Sequence, residues 1–167
     1  MKTRKTFNDR GHAHELTFST LGRRPTLVRP GAKEVLASSL NRASAKHAFD
    51  VWAYVFMPEH VHLLIRPQEE SYDVSRILKA IKSPAAKEML RLDEFRIFQE
   101  TAVWMPGGGY DRNIRSEAEA RIVVEYLHRN PIRRKLCESP DQWLYSSVRD
   151  YQGLPGPVNV TLLDWRS

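Results

Sequence analysis

The sequence predicts a single α+β domain, and three observations carry that reading. Short segments that alternate apolar and polar residues, or are rich in β-branched and aromatic ones, read as strands. Between them lie segments whose apolar residues recur at three- and four-residue spacing, as on one face of a helix. Proline and glycine stand at most of the boundaries, and the resulting order is strand, helix, hairpin, helix, strand, with one more helix after it. A chain of 167 residues, 41% hydrophobic, suffices for one core.

Residues 1–10 are polar and basic and read as a flexible arm. Residues 12–20 alternate, with Leu16 and Phe18 on one side and Thr17 and Ser19 on the other, and end at Gly22-Arg23-Arg24-Pro25. Pro30-Gly31 precedes a helix over 32–47, where Val35, Leu36 and Leu40 share a face. Residues 49–57 form a strand, and only Pro58-Glu59 separates it from a second strand that begins at His60 and closes at Pro67, so the pair is a tight antiparallel hairpin. Ser71-Tyr72-Asp73-Val74 opens a helix that reaches about residue 92, with an interruption expected at Ser83-Pro84. Residues 95–105 read as a strand, on Phe95, Ile97, Val103 and Trp104. The three glycines at 107–109 lack a following Lys-Ser/Thr and a strand-loop-helix setting, so they read as a flexible connection and not as a phosphate loop. Ser116 and Glu119 form a capping box for a helix that Pro131 is expected to stop. The domain then spans 11–151, and 152–167 is expected to be an extended tail over the surface.

Composition narrows the function classes. The apolar runs are too short for a membrane span, no apolar stretch follows the basic N-terminus as in a secretory signal, and a cytoplasmic location is expected. One cysteine, Cys137, excludes an internal disulfide framework and a thiolate-rich zinc site. The formal net charge is +6, and residues 1–47 hold ten basic side chains against three acidic ones. Such an excess favours a phosphate-backbone partner, because neutralised phosphates release counterions.

His60 and His62 flank one residue in a strand, so their imidazoles point the same way and offer two metal-ligand nitrogens side by side. Two strand histidines that merely face solvent satisfy the same pattern. His12 and His14 repeat the spacing beside the arm, where a solvated or DNA-facing role is the expectation. On the last predicted helix Ile122, Tyr126 and Asn130 are four apart and share a face, so a phenol nucleophile and an amide ligand can meet the same ion. A half-buried aromatic and a helix-end asparagine would look alike at this level.

Pro58-Glu59-His60-Val61-His62, followed some sixty residues later by Glu125-Tyr126-Leu127-His128-Arg129-Asn130-Pro131, resembles the single-tyrosine HUH transposases, and within them the REP-associated tyrosine transposases related to the insertion sequence 200-like enzymes. Trp104 with Gly109-Tyr110-Asp111-Arg112, and the later Pro140-Asp141-Gln142-Trp143-Leu144-Tyr145-Ser146-Ser147, resemble the same group. The resemblance runs from about residue 11 to 151 and is specific through the order and spacing of the motifs together.

It implies a ferredoxin-like antiparallel sheet with helices on one face, the HUH endonuclease fold. It further implies that His60 and His62 hold a divalent ion, Mg²⁺ or Mn²⁺, that Asn130 completes the ligand set, and that Tyr126 attacks a phosphodiester of single-stranded DNA beside a hairpin or repeat. The products would be a 5′-phosphotyrosine and a free 3′-OH, with a nucleoid-associated, bacterial location and a monomer or homodimer. Arg23, Arg24, Arg112, Arg115, Arg133 and Arg134 would contact the DNA, although a solvated charge cluster also explains the last four. Two other classes remain: an inactive DNA- or RNA-binding module on the same fold, and a His-x-His hydrolase, whose usual (β/α)₈ barrel needs about 250 residues.

Overall fold

The computed structural model describes residues 8–107 and 109–164. Four strands, β1 (Ala13–Ser19), β2 (Phe49–Phe56), β3 (His60–Pro67) and β4 (Tyr110–Ile114), make one antiparallel sheet in the order β2-β3-β1-β4. The helix α1 (Ala32–Lys46) joins β1 to β2, and α2 (Val74–Met89) lies between β3 and β4. That is the ferredoxin-like arrangement the resemblance implied. Three more helices follow: α3 (Asp93–Ile97), α4 (Glu117–Arg133) and α5 (Val148–Tyr151).

Strand alternation divides the core in two. Leu16, Phe18, Val61, Leu63 and Ile65 pack under Leu36 and Leu40 of α1 and Ile77, Leu78 and Ile81 of α2. The residues between them face the other way, where Ala13, Ala53, Val55 and Leu64 meet Ala120, Val123, Val124 and Leu127 of α4. The expectation of helices on one face therefore holds for α1 and α2, while α4 forms a third layer on the opposite face. Burying both faces explains why β2 and β3 are almost continuously apolar. The hairpin turns through Pro58-Glu59 as read, with the Met57 N–H donating to the His60 carbonyl at 2.9 Å. The free edge of β2 is covered by residues 145–147, which exchange backbone hydrogen bonds with Tyr54 and Phe56.

Several expectations are corrected. The strand predicted over 95–105 is instead α3 followed by a loop, with only Trp104 in a single bridge to Thr20, and the fourth strand is Tyr110–Ile114. Leu92 and the acidic pair Asp93-Glu94 start a helix there, and the fully buried Phe95 packs from it into the core. Neither internal proline breaks its helix: Pro84 lies within α2 and Pro131 within the last turn of α4. Each forfeits one backbone hydrogen bond, and the buried residues beyond it, Ala85 and Met89 in α2, hold the helix in place. Within the predicted opening stretch Asp73 caps α2, accepting from the Ser75 N–H at 2.8 Å. At α4 Ser116 Oγ accepts from the Glu119 N–H, while the Glu119 carboxylate reaches back to the Arg115 N–H.

His14 is neither solvated nor turned to a ligand. It is fully buried, 2.9 Å from Asp111 and 2.8 Å from the Tyr72 hydroxyl, and that hydroxyl donates to the Asp9 carbonyl. Most of the predicted basic arm, residues 1–7, lies outside the described residues. Asn8 and Asp9 are tied to α2 and β4 through hydrogen bonds to the Val74 N–H and from the Asn113 amide. In the tail, Val158 is buried and the Thr161 N–H donates to the Val51 carbonyl. Among the described residues no helix is long and apolar enough to cross a membrane.

Candidate active site

The hairpin delivers two imidazoles to the α4 side of the sheet. His60 and His62 lie on β3 with rings nearly perpendicular and centroids 4.7 Å apart, and their Nε2 atoms are separated by 2.9 Å. Nitrogens about 2.1 Å from one ion and at right angles around it would stand about 3 Å apart, so the pair is spaced as adjacent ligands of one cation. Burial holds His60 below the usual imidazole range and pushes His62 down to about 3, the charges of His60 and Arg23 adding to the effect on His62. Both rings are therefore neutral near pH 7, the state a ligand requires.

Two neighbours decide where the imidazole protons sit. The His60 Nδ1–H donates to Glu59 Oε1 at 3.0 Å. Burial opposes ionisation of Glu59, but a hydrogen bond from Arg134 and the nearby His60 outweigh it and hold the carboxyl below its usual range. As a carboxylate it can only accept, which leaves the His60 Nε2 lone pair facing His62. His62 Nδ1 lies 2.8 Å from Thr17 Oγ1, its cross-strand partner. A hydroxyl donates or accepts, so His62 has two satisfied tautomers. In one its Nε2–H donates to His60; in the other its Nδ1–H donates to Thr17 and two Nε2 lone pairs converge.

α4 brings the remaining groups. Its buried side lies on the sheet, the flank of Arg121, Glu125 and His128 faces Tyr151 beyond β2, and the flank of Ile122, Tyr126 and Asn130 faces the histidines. Asn130 Nδ2 is 3.2 Å from His62 Nε2, and the Tyr126 ring meets the His62 ring edge-on at 5.8 Å between centroids. Tyr126 remains 39% exposed. The four residues expected to form the site do converge, all within one chain. Among the described residues no three His, Cys, Asp or Glu side chains are grouped to hold a metal, and the polar group that α4 places beside the histidines is the Asn130 amide.

The six arginines are distributed unevenly. Arg134 and Arg23 both approach Glu59, Arg23 at 3.7 Å, and therefore stand next to His60. Arg133 lies 5.3 Å over the Tyr126 ring. Arg112 is on β4, 3.7 Å from Glu15 on the same sheet face. Arg24 turns away to Glu100, which Arg29 also engages. Arg115 precedes α4 and is about 20 Å along the helix from Asn130, so it does not flank the site.

Residues 10–130 match the family described as "Transposase IS200 like". The chain belongs to that family. Members are DNA-cleaving enzymes, so the site belongs to a transposase, in agreement with the resemblance read from the motifs. Among solved structures, the chain is similar to a REP-associated tyrosine transposase bound to a REP hairpin, at a TM-score of 0.71 and 17% identity over 99% of this chain and 96% of that one. It is also similar to a protein of Deinococcus radiodurans R1 whose crystal structure carries a transposase assignment, at a TM-score of 0.50 and 20% identity over 78% and 97%. No curated protein matches it. At these identities the two structures establish the shared fold.

Sequence reasoning missed Glu59 and Thr17. Glu59 stands both in the hairpin turn and in the motif that carries the resemblance, and neither assigns it a role of its own. Thr17 was placed on the correct strand face, yet its pairing with His62 depends on register between β1 and β3.

Proposed function

We propose that this transposase cleaves and rejoins single-stranded DNA beside a hairpin through a covalent bond between Tyr126 and the 5′-phosphate. The observation that carries the reading is the 2.9 Å approach of the two histidine Nε2 atoms, with the exposed Tyr126 ring set edge-on against His62. Two imidazole nitrogens and the Asn130 amide, turned so that its oxygen faces inward, suit a divalent ion, Mg²⁺ or Mn²⁺. Such an ion, when bound, polarises the scissile phosphate and offsets its growing negative charge.

The protein's own residues do the rest. Tyr126 Oη attacks the phosphorus in line, the Oη–P bond forms and the P–O3′ bond breaks. The phenol proton passes to solvent, and the departing 3′-oxygen takes up a proton. Energy of the phosphodiester is kept in the phosphotyrosine, so a second 3′-OH reverses the step without a nucleotide cofactor. Arg133 lies against the nucleophile, and Arg23 and Arg134 stand beside His60, where they meet the phosphates on either side. The hairpin bound by the structurally similar REP-associated transposase supports hairpin DNA as the partner.

The test uses labelled single strands carrying hairpins from the gene's own flanks, with Mn²⁺, on denaturing gels. Wild type yields a cleaved strand and a protein-linked strand, and Tyr126→Phe yields neither. Tight binding without cleavage across several hairpins and metals would instead favour a binding module.

A further inference from the structure

α4 covers only part of the sheet face that carries the histidines. Beyond its Ile122–Tyr126 flank lies an open shelf floored by β1 and β4, and one residue on that shelf has no role in the site described above. Tyr110 is paired with Thr17 on β1, and Thr17 is paired in turn with His62 on β3. Directly paired residues project from the same face, so Tyr110, Thr17 and His62 form one row across three strands. Alternation along β4 agrees, since Asp111 points the opposite way into the buried contact with His14. Strands lie about 4.8 Å apart, which puts the Tyr110 backbone about 10 Å from that of His62.

The ring is placed firmly but left uncovered. Gly109 lets β4 come against β1 there: it has φ +75°, and a Cβ at that position would stand 2.0 Å from the Thr17 carbonyl oxygen. Tyr110 is nevertheless 52% exposed, and across the shelf Ile122 is 66% exposed. Arg112, two residues on and on the same face, is held 3.7 Å from the nearly buried Glu15 and keeps 45% of its side chain in solvent. An exposed aromatic flanked by a guanidinium, one nucleotide's reach from a phosphate-cleaving centre, matches the chemistry that holds unpaired bases.

We propose that Tyr110 is a stacking platform for an unpaired base flanking the scissile phosphate, with Arg112 contacting the adjoining backbone. This rests on the single-stranded-DNA reading of the site and adds to it a residue that sets the path of the strand. Tyr110 contributes through its ring face and not its hydroxyl, so phenylalanine replaces it.

The experiment compares binding of an oligothymidylate of about 15 nucleotides with an abasic oligomer of equal length and charge, by fluorescence anisotropy. The proteins carry Tyr126→Phe so that no chemistry intervenes. The parent should prefer the oligomer with bases by about 5- to 150-fold. Adding Tyr110→Ala should remove most of that preference with little change for the abasic strand, and Tyr110→Phe should keep it. Equal preference in the Tyr110→Ala protein would overturn the platform and leave the DNA reading intact. A parent that binds neither oligomer at low salt would count against the DNA reading itself. Circular dichroism melting of the exposed-site variants verifies that they are folded.

Discussion

Replacing Thr17 by valine removes one hydrogen-bonding oxygen and almost no volume. In the wild type His62 Nδ1 is 2.8 Å from Thr17 Oγ1, and His62 is largely buried, so no water replaces the lost partner easily. With valine there, Nδ1 is buried without a partner in either tautomer, at a cost of about 1–3 kcal/mol, and only the tautomer with Nε2–H, which donates to His60, keeps its ring N–H hydrogen-bonded. His62 is then driven to that tautomer, with Nε2–H aimed at His60, and that proton occupies the position an ion needs. Loss of such an outer partner typically weakens metal binding by about 10- to 100-fold, or about 1.4–2.7 kcal/mol. Titrating Mn²⁺ against the yield of protein-linked DNA should show the half-maximal concentration raised by that factor in Thr17→Val. The yield should recover at saturating Mn²⁺, and Thr17→Ser should behave like wild type. A valine variant with an unchanged Mn²⁺ requirement would refute the tautomer argument, as would one that no concentration of metal restores.

Three further outcomes follow from the same geometry. His128 of α4 is half-buried beside Ser147 Oγ at 2.9 Å, and desolvation pushes it down to about 4. Its folded pKa is below the unfolded value of about 6.5, so its contribution is intact above that pH and is lost as pH falls toward 4, at up to about 1.4 kcal/mol per pH unit. Urea melts of His128→Gln between pH 7 and 4 should therefore fall less steeply than wild type, with His60, His62 and Glu59 among the groups that supply the slope that remains; parallel curves would contradict this. Gly109→Ala forces a Cβ to within 2.0 Å of the Thr17 carbonyl and keeps φ at +75°, so β4 must move and melting should occur several degrees lower. Because two of the three candidate donors are imidazole nitrogens, Mn²⁺ should support more product than Mg²⁺ at equal concentration, and a chelator should abolish it.

The hairpin and the two core-facing patterns were legible because local chemistry dictates them. Pro58-Glu59 leaves room only for a tight turn, and a period of two puts His60 and His62 on one face whatever surrounds them. Spacing by four likewise placed Tyr126 and Asn130 together on α4. β4 was not legible, because it is an edge strand whose sequence, Tyr-Asp-Arg-Asn-Ile, carries no apolar alternation. Its inward positions meet polar partners instead, Asp111 with the buried His14 and Asn113 with Asp9. The same long-range pairing hid the fate of His14, whose partners are 58 and 97 residues away in sequence. Proline in the last turn of α4 misled for a different reason: Leu127, Asn130 and Pro131 are buried against the sheet, and that packing outweighs one missing hydrogen bond.

The most direct test of the central claim follows the two ends of the cleaved strand. A hairpin-flanked single strand, labelled at either its 5′ or its 3′ end, is incubated with the protein and Mn²⁺, and the linked species is digested and its peptide sequenced. The account predicts that only the 3′-labelled fragment stays on the protein, that the 5′-labelled fragment is released with a free 3′-OH, and that the modified residue is Tyr126. Linkage to the opposite fragment, a different modified residue, or an undiminished adduct in Tyr126→Phe would contradict it.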